Sequence, residues 1–293
     1  MKFLVIGCGS IGERHINNLK ALGVDVCISD IDRPTQIKVS QELNLPIFYS
    51  SSEGLKYIDA VVICTTPNSH ISLARSAIRW HKPVFIEKPI SDTLDGVDDL
   101  LQEAAEKNLV VSVGYQLRFN KSLQEFKKLL GTITPITAML EFSQFIGDWR
   151  PEQDYRSSYT ADLGIILDGS HEIHFAMWLF GNAKQVRCST KNILNLKGED
   201  IADIKLEFEN ELKVDIRLDM VKKGYYRGCH VEANSGGYNW NYQKNNDDYI
   251  AEMQHFINCI EGKEKPLVDG YIAKEVLRVA LAAKESNGKW INL

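Results

Sequence analysis

Lys2 to Gly23 reads KFLVIGCGSIGERHINNLKALG, and how this stretch divides decides the fold. Phe3 to Ile6 is an unbroken apolar run, the pattern of a strand buried on both faces. A glycine loop follows at once. Ile11, Ile16, Leu19 and Leu22 then recur at helical spacing until Gly23 ends the pattern. Strand, glycine loop and helix form the setting in which G-x-G-x-x-G binds a dinucleotide. Gly7 permits the tight turn, Gly9 lets a pyrophosphate approach the main chain, and Gly12 lets the helix pack closely on the strand. The positive end of the helix then faces the phosphates.

Working outward, a second strand, VDVCIS, ends at Asp30, 18 residues beyond Gly12. A carboxylate there reaches the ribose hydroxyls and repels a 2′-phosphate, which favours NAD. Arg33, three residues on, keeps NADP open, and Asp30 also fits a plain turn at a strand end. AVVICTT (60–66) and PVFIEKP (83–89) are two more apolar strands, separated by the helical SHISLARSAIRW. LVVSVGYQLRFN supplies a further strand ending at Tyr115, Gln116 and Arg118. Strands alternating with helices imply a parallel sheet that binds ligands at the carboxyl ends of its strands. Those ends carry Thr65, Thr66, Pro67 and Asn68, then Glu87, Lys88 and Pro89. Lys88 stands on the cofactor edge, where partial burial would lower its pKa and let it exchange a proton with a substrate oxygen; a salt bridge to Glu87 or a phosphate is the equal alternative.

Composition narrows the function classes. A net charge of -5 gives no basic footprint for nucleic acid or an anionic membrane. No apolar run reaches the length of a membrane span, and MKFLVIGCG is too short for a signal core, so the expected location is cytoplasmic. Six scattered cysteines without a CxxC pair suggest reduced thiols rather than a zinc knuckle or redox dithiol.

With GCGSIGERH, CTTPNSH and EKP in this order, the chain resembles the glucose-fructose oxidoreductase, inositol dehydrogenase and MocA family. The resemblance implies an α/β protein: an N-terminal Rossmann dinucleotide-binding domain, 1–118, and a C-terminal α/β domain with an open, mainly antiparallel sheet, 119–293, for substrate binding and oligomerisation. It implies a nicotinamide-dependent dehydrogenase or reductase acting on a sugar, cyclitol or related polyol. On this chain the cofactor contacts fall on Gly7, Gly9, Ser10, Ile11, Gly12, Asp30, Thr65, Thr66, Pro67, Asn68, His70 and Glu87. Lys88 contacts the reacting hydroxyl, and a cis peptide before Pro89 fixes its direction.

The second half changes character. DIKLEFENELKVDIRLDM alternates strictly, with Ile204, Leu206, Phe208, Leu212, Val214, Ile216 and Leu218 on one face about a turn at 209–211. That is an antiparallel hairpin. Its charged face is solvated or, as the resemblance implies, joins subunits into a homodimer or homotetramer. ANSGGYNWNYQKNNDDY, rich in Gly and Asn, reads as a long loop, and two helices follow near 249–261 and 270–286.

LDGSHEIHFAMWLFG (167–181) nearly spells the zinc motif HExxH, but its histidines are three apart rather than four, so no metal is expected. The stretch reads instead as a helix with Asp162 as N-cap, an apolar stripe of Ile173, Ala176, Met177 and Phe180, and Gly181 at its C-terminal cap. Asp168 and His171 share a neighbouring face. The resemblance places the family's substrate ligand and general acid or base here, usually four residues apart rather than three; DGSHEIH is similar to a branch with DxSHEID. His171 is the expected proton acceptor, Asp168 its helper, and His174 structural. In the preceding DWRPEQDYRSSY, Trp149, Arg150, Tyr155 and Arg156 suit an anionic or nucleotide-linked sugar, or else form a surface loop of Arg–Asp pairs. Similar stretches occur in bacterial proteins of surface-polysaccharide sugars. Two rival functions remain: a sugar-sensing regulator that binds dinucleotide without catalysis, and a reductase of carbon–nitrogen or ring double bonds.

Overall fold

The apolar tetrad Phe3–Ile6 lies inside β1 (Lys2–Ile6), whose neighbours are β2 (Asp25–Ser29) and β3 (Ala60–Ile63). The computed structural model describes residues 1–148 and 163–293. With β4 (Val84–Glu87) and β5 (Val111–Gly114) these strands form a five-stranded sheet, order β2-β1-β3-β4-β5, parallel throughout. The crossovers contain α1 (Ser10–Ala21), α2 (Arg33–Leu43), α3 (Ser51–Gly54), α4 (His70–Arg79) and α5 (Val97–Glu106). All four residues of β3 and of β4 are buried. That is why these strands read as continuous apolar runs: helices cover both faces. Leaving the sheet, α2 starts where the Asp32 side chain accepts the Thr35 N–H, with Pro34 in the first turn, and stops at Asn44 in the left-handed region.

The second unit begins at α6 (Lys121–Leu130), capped by Asn120 Oδ1 accepting the Leu123 N–H at 2.9 Å. It continues through β6 (Pro135–Gln144), α7 (Gly164–Asp168), α8 (Ser170–Phe180), β7 (Ala183–Lys191), β8 (Ile201–Phe208), β9 (Lys213–Asp219), β10 (Tyr225–Ala233) and β11 (Gly236–Asn241). With β12 (Ile291–Asn292) the strands form a seven-stranded sheet, order β11-β10-β6-β9-β8-β7-β12. Only the β6–β9 pairing is parallel. The expected hairpin is β8–β9, with Ile204, Leu206, Val214, Ile216 and Leu218 buried. Its other face pairs charges across strands: Lys205 with Asp215 at 2.7 Å, and Arg217 with Asp203 at 2.7 Å and Asp219 at 2.8 Å.

Two expectations need correction. The stretch 233–249 is not one long loop, because Gly236–Asn241 forms edge strand β11 against β10. Aromatic residues at every second position, Tyr238, Trp240 and Tyr242, turn Trp240 onto the buried face, and that period outweighs the loop-like Gly and Asn content. The division into units is also not contiguous. The first unit comprises Met1–Phe119 and Asn246–Lys274, the second Asn120–Asn245 and Glu275–Leu293. α9 (Asp247–Ile260) joins the first unit, and the border crosses α10 (Gly270–Glu285). Met253, Phe256 and Ile257 of α9 enter the core with Phe3, Val5, Ile16, Leu19 and Phe85. The Phe256 ring lies 5.8 Å from that of Phe3 and 5.7 Å from that of Phe85. Each such side chain contributes about 1.5–3 kcal/mol on burial, which draws the late helix back to the early sheet.

Candidate active site

At the carboxyl edge of the parallel sheet the glycine loop is built as its sequence demands. Gly7 has φ +94°, and a Cβ there would lie 2.7 Å from the Cys64 main chain. A Cβ on Gly12 would lie 1.9 Å from the Gly7 carbonyl oxygen, so α1 packs against the loop with no room for a methyl group. Gly9 differs: nothing among the described residues lies within 4 Å of its would-be Cβ. It precedes α1 without a side-chain cap, beside exposed Ser10 and half-exposed Ile11. An uncapped helix start with open space above a glycine is a cradle that fits a pyrophosphate.

Asp30 follows β2 directly, and its carboxylate is oriented by the loop itself. Oδ2 accepts the Cys8 N–H at 2.6 Å, and Oδ1 accepts the Asp32 N–H at 2.8 Å. Arg33 donates to the Gln36 side chain at 2.7 Å and also to the Tyr49 carbonyl.

Beyond β3, Thr66 and Asn68 are exposed and Thr65 half-exposed, whereas Pro67 and His70 are buried. His70 is completely buried, and its nitrogens face the Pro89 carbonyl (Nδ1, 3.0 Å) and the Thr65 carbonyl (Nε2, 3.0 Å). Burial holds its pKa below the ordinary imidazole value although both carbonyls oppose that shift. His70 therefore ties the loop after β3 to the EKP turn from within. The Lys88–Pro89 peptide is cis.

Glu87 also faces inward. Its Oε1 lies 2.6 Å from His15 Nε2, and its Oε2 accepts the Lys88 N–H at 3.1 Å. Burial alone would raise its pKa, but the bond from His15, the charges of His15 and Lys88, and the Lys88 amide hold it below the ordinary value. Gly114 on β5 makes room, since a Cβ there would sit 3.1 Å from Glu87 Oε1. Lys88 itself is half-buried. Arg118 donates to the Leu267 carbonyl at 3.2 Å, and burial brings its pKa down to about 10.

In the second unit the predicted single helix is two, α7 and α8, broken at Gly169. A Cβ on Gly169 would meet the Ile165 carbonyl at 2.7 Å and the Leu218 side chain at 3.0 Å, so this glycine serves close packing on β9. Gly181 ends α8 at φ +103°, ψ −152°, outside the left-handed helical basin expected of it but still a glycine conformation. Ile173 and Ala176 are fully buried, while Met177 and Phe180 are partly so. Asp168 is half-buried; His171 and His174 are buried. Trp149, Arg150, Tyr155, Arg156 and the expected N-cap Asp162 lie outside the described residues.

Sequence reasoning missed three residues. His15 appeared only as the last letter of GCGSIGERH. Glu172, read as part of a failed zinc motif, is completely buried and pairs with buried Arg227, Oε1 to Nε 2.7 Å. The Arg227 guanidinium carbon stands 4.5 Å from the Phe142 ring centroid. Period two along β10 puts Arg227 on the same inward face as Cys229 and Val231, the signal that could have found it. Glu172→Ala strands a buried cation and is expected to cost about 3–5 kcal/mol, measured by denaturant unfolding, whereas apolar replacement of both partners recovers most of that loss. All six cysteines are buried free thiols. Among the described residues no helix is long and apolar enough to cross a membrane.

Residues 1–115 match the family described as "Oxidoreductase family, NAD-binding Rossmann fold", and residues 128–238 match the "GFO/IDH/MocA C-terminal domain". The chain is 25% identical over 325 residues to myo-inositol 2-dehydrogenase of Thermotoga maritima, covering 98% of this chain and 96% of that protein. Among solved structures, myo-inositol 2-dehydrogenase from Lactobacillus plantarum superposes with a TM-score of 0.90 at 19% identity, covering 100% of this chain and 99% of the other. The WlbA dehydrogenase from Bordetella pertussis, in complex with NADH and UDP-GlcNAcA, gives 0.88 at 19% identity, covering 100% and 98%.

Proposed function

The chain belongs to the GFO/IDH/MocA oxidoreductase family of NAD-dependent dehydrogenases, and from that premise we propose reversible hydride transfer between NAD and a hydroxyl of an anionic or nucleotide-linked sugar. The observation that carries the reading is the cradle of Gly7, Gly9 and Gly12 with Asp30 fixed beside it, at the same sheet edge as Lys88. When bound, NAD supplies the carbon that accepts the hydride. Lys88 donates from Nζ to the reacting oxygen. His171 takes the hydroxyl proton on an imidazole nitrogen, and Asp168 orients the hydroxyl or the imidazole. Exposed Ser10, Thr66 and Asn68 bind the cofactor on this reading, while Pro67, His70 and Glu87 shape its floor from below. Trp149, Arg150, Tyr155 and Arg156 take the anionic part of the sugar, with Arg118 at its edge. The curated relatives are named for inositols and the Bordetella structure carries a nucleotide sugar, so both classes belong in the assay.

The test is a panel of nucleotide sugars, sugar acids and inositols with NAD, following NADH absorbance and thermal shift together. Turnover with one class is expected. Binding across the panel without any redox change would overturn the reading in favour of a sugar sensor. Asp30 makes a separate prediction: NAD should be preferred to NADP by at least about tenfold, and Asp30→Ala should narrow that preference, read from the two KM values. We further propose a cytosolic location and a homodimer or homotetramer through the outer face of the second sheet, where Met139 is 49% exposed among paired charges. Met139→Glu should then shift the mass seen in light scattering toward the monomer.

A further inference from the structure

The first unit buries a carboxyl group that the proposed reaction does not use. Glu252, on the inner face of α9, is 2% exposed, and neither of its carboxyl oxygens has a hydrogen-bond partner among the described residues. One oxygen stands with His15 and Glu87 in a group whose ligand atoms all lie within 4.8 Å of one another. The same side chain lines a small pocket with Ser112 and His255. The titratable groups around it are Glu87 on β4, with Lys88 beyond it, His15 on α1, Cys64 after β3, and Asp248 and His255 on α9 itself. Burial, then the charges of Glu87 and Asp248, push the Glu252 carboxyl well above its ordinary range. Two ionised carboxylates beside one imidazole would leave an uncompensated buried charge.

We propose that Glu252 is held as a neutral carboxylic acid and is a positioning residue for Lys88. With the proton on Glu252, the single negative charge of the trio stays on Glu87. Its two oxygens are then both engaged, one by His15 Nε2 at 2.6 Å and the other by the Lys88 main-chain N–H at 3.1 Å. Ionisation of Glu252 would set a second carboxylate against Glu87 and loosen the segment that presents Lys88. The positioning half of this inference rests on the proposed role of Lys88; the proton on Glu252 does not.

The experiment uses the full chain and two variants, E252Q and E252A. A carboxyl group whose folded pKa is raised costs the folded state increasing stability as pH climbs from the unfolded value of about 4.3 toward the folded one. The uncharged amide of E252Q carries no such cost. E252Q should therefore melt several degrees above the parent at pH 8, and the gap should close as pH falls toward 5. A pH-independent gap, or an E252Q that loses ground to the parent as pH rises, overturns the proposal. So does saturable stabilisation by Zn2+ that E252Q lacks, because a cation rather than a proton would then hold the trio. For positioning, E252A should lower kcat about tenfold with the KM for NAD unchanged, and E252Q should restore it. A folded E252A with parental kcat refutes positioning. Full activity in K88A instead refutes the role of Lys88 and leaves the melting signature of Glu252 in place, so the two failures are separable.

Discussion

Lys88→Ala and His171→Ala are each expected to lower turnover by about a hundredfold or more while leaving NAD affinity nearly unchanged, because on the proposed mechanism each removes a group that acts on the reacting oxygen rather than on the cofactor. Stopped-flow NADH formation, together with fluorescence titration of NADH, separates the two quantities. Parental turnover in both variants would refute the assignment. His174→Ala is the matching control. His174 is 2% exposed in the same helix, three residues further along, and its loss should lower the melting temperature and spare kcat.

The glycine loop makes the other large prediction, and it is a contrast. Gly12→Ala would place a methyl carbon 1.9 Å from the Gly7 carbonyl oxygen, a main-chain atom that cannot swing aside, so α1 must lift from β1. Loss of stability and of NAD binding together is expected. Gly9→Ala meets nothing among the described residues within 4 Å, and its φ of −69° suits any residue. That variant should melt like the parent yet bind NAD at least about tenfold more weakly, because the methyl group occupies the space the pyrophosphate needs. Equal NAD affinity in Gly9→Ala would move the phosphate site elsewhere.

Much of the fold was legible because its signals are local. Phe3–Ile6, Ala60–Ile63 and Val84–Ile86 are continuous apolar runs since both faces of their sheet are covered, and the β8–β9 hairpin alternates since one of its faces is wet. The edge strand Gly236–Asn241 was less legible. Its Gly and Asn content carries a loop signal, and only Trp240 packed on its inner face outweighs it. The split of the helix at Gly169 was less legible for another reason. A Cβ there would meet the Ile165 carbonyl, one turn back, at 2.7 Å and the Leu218 side chain, 49 positions away in the chain, at 3.0 Å, and the second contact is visible only in space.

By itself the sequence determined the strands of the parallel sheet, the glycine loop with Asp30, the EKP turn and the β8–β9 hairpin, because each depends on neighbours within a few residues. Only the tertiary structure decided that α9 returns to the first unit, that Glu87 turns inward to His15 rather than outward, that Glu252 closes that buried group, and that Glu172 is the partner of Arg227. Each of these pairs a charge or an apolar face with a group 55 to 253 positions distant. Burial makes such pairings obligatory, and nothing in the local sequence names the partner.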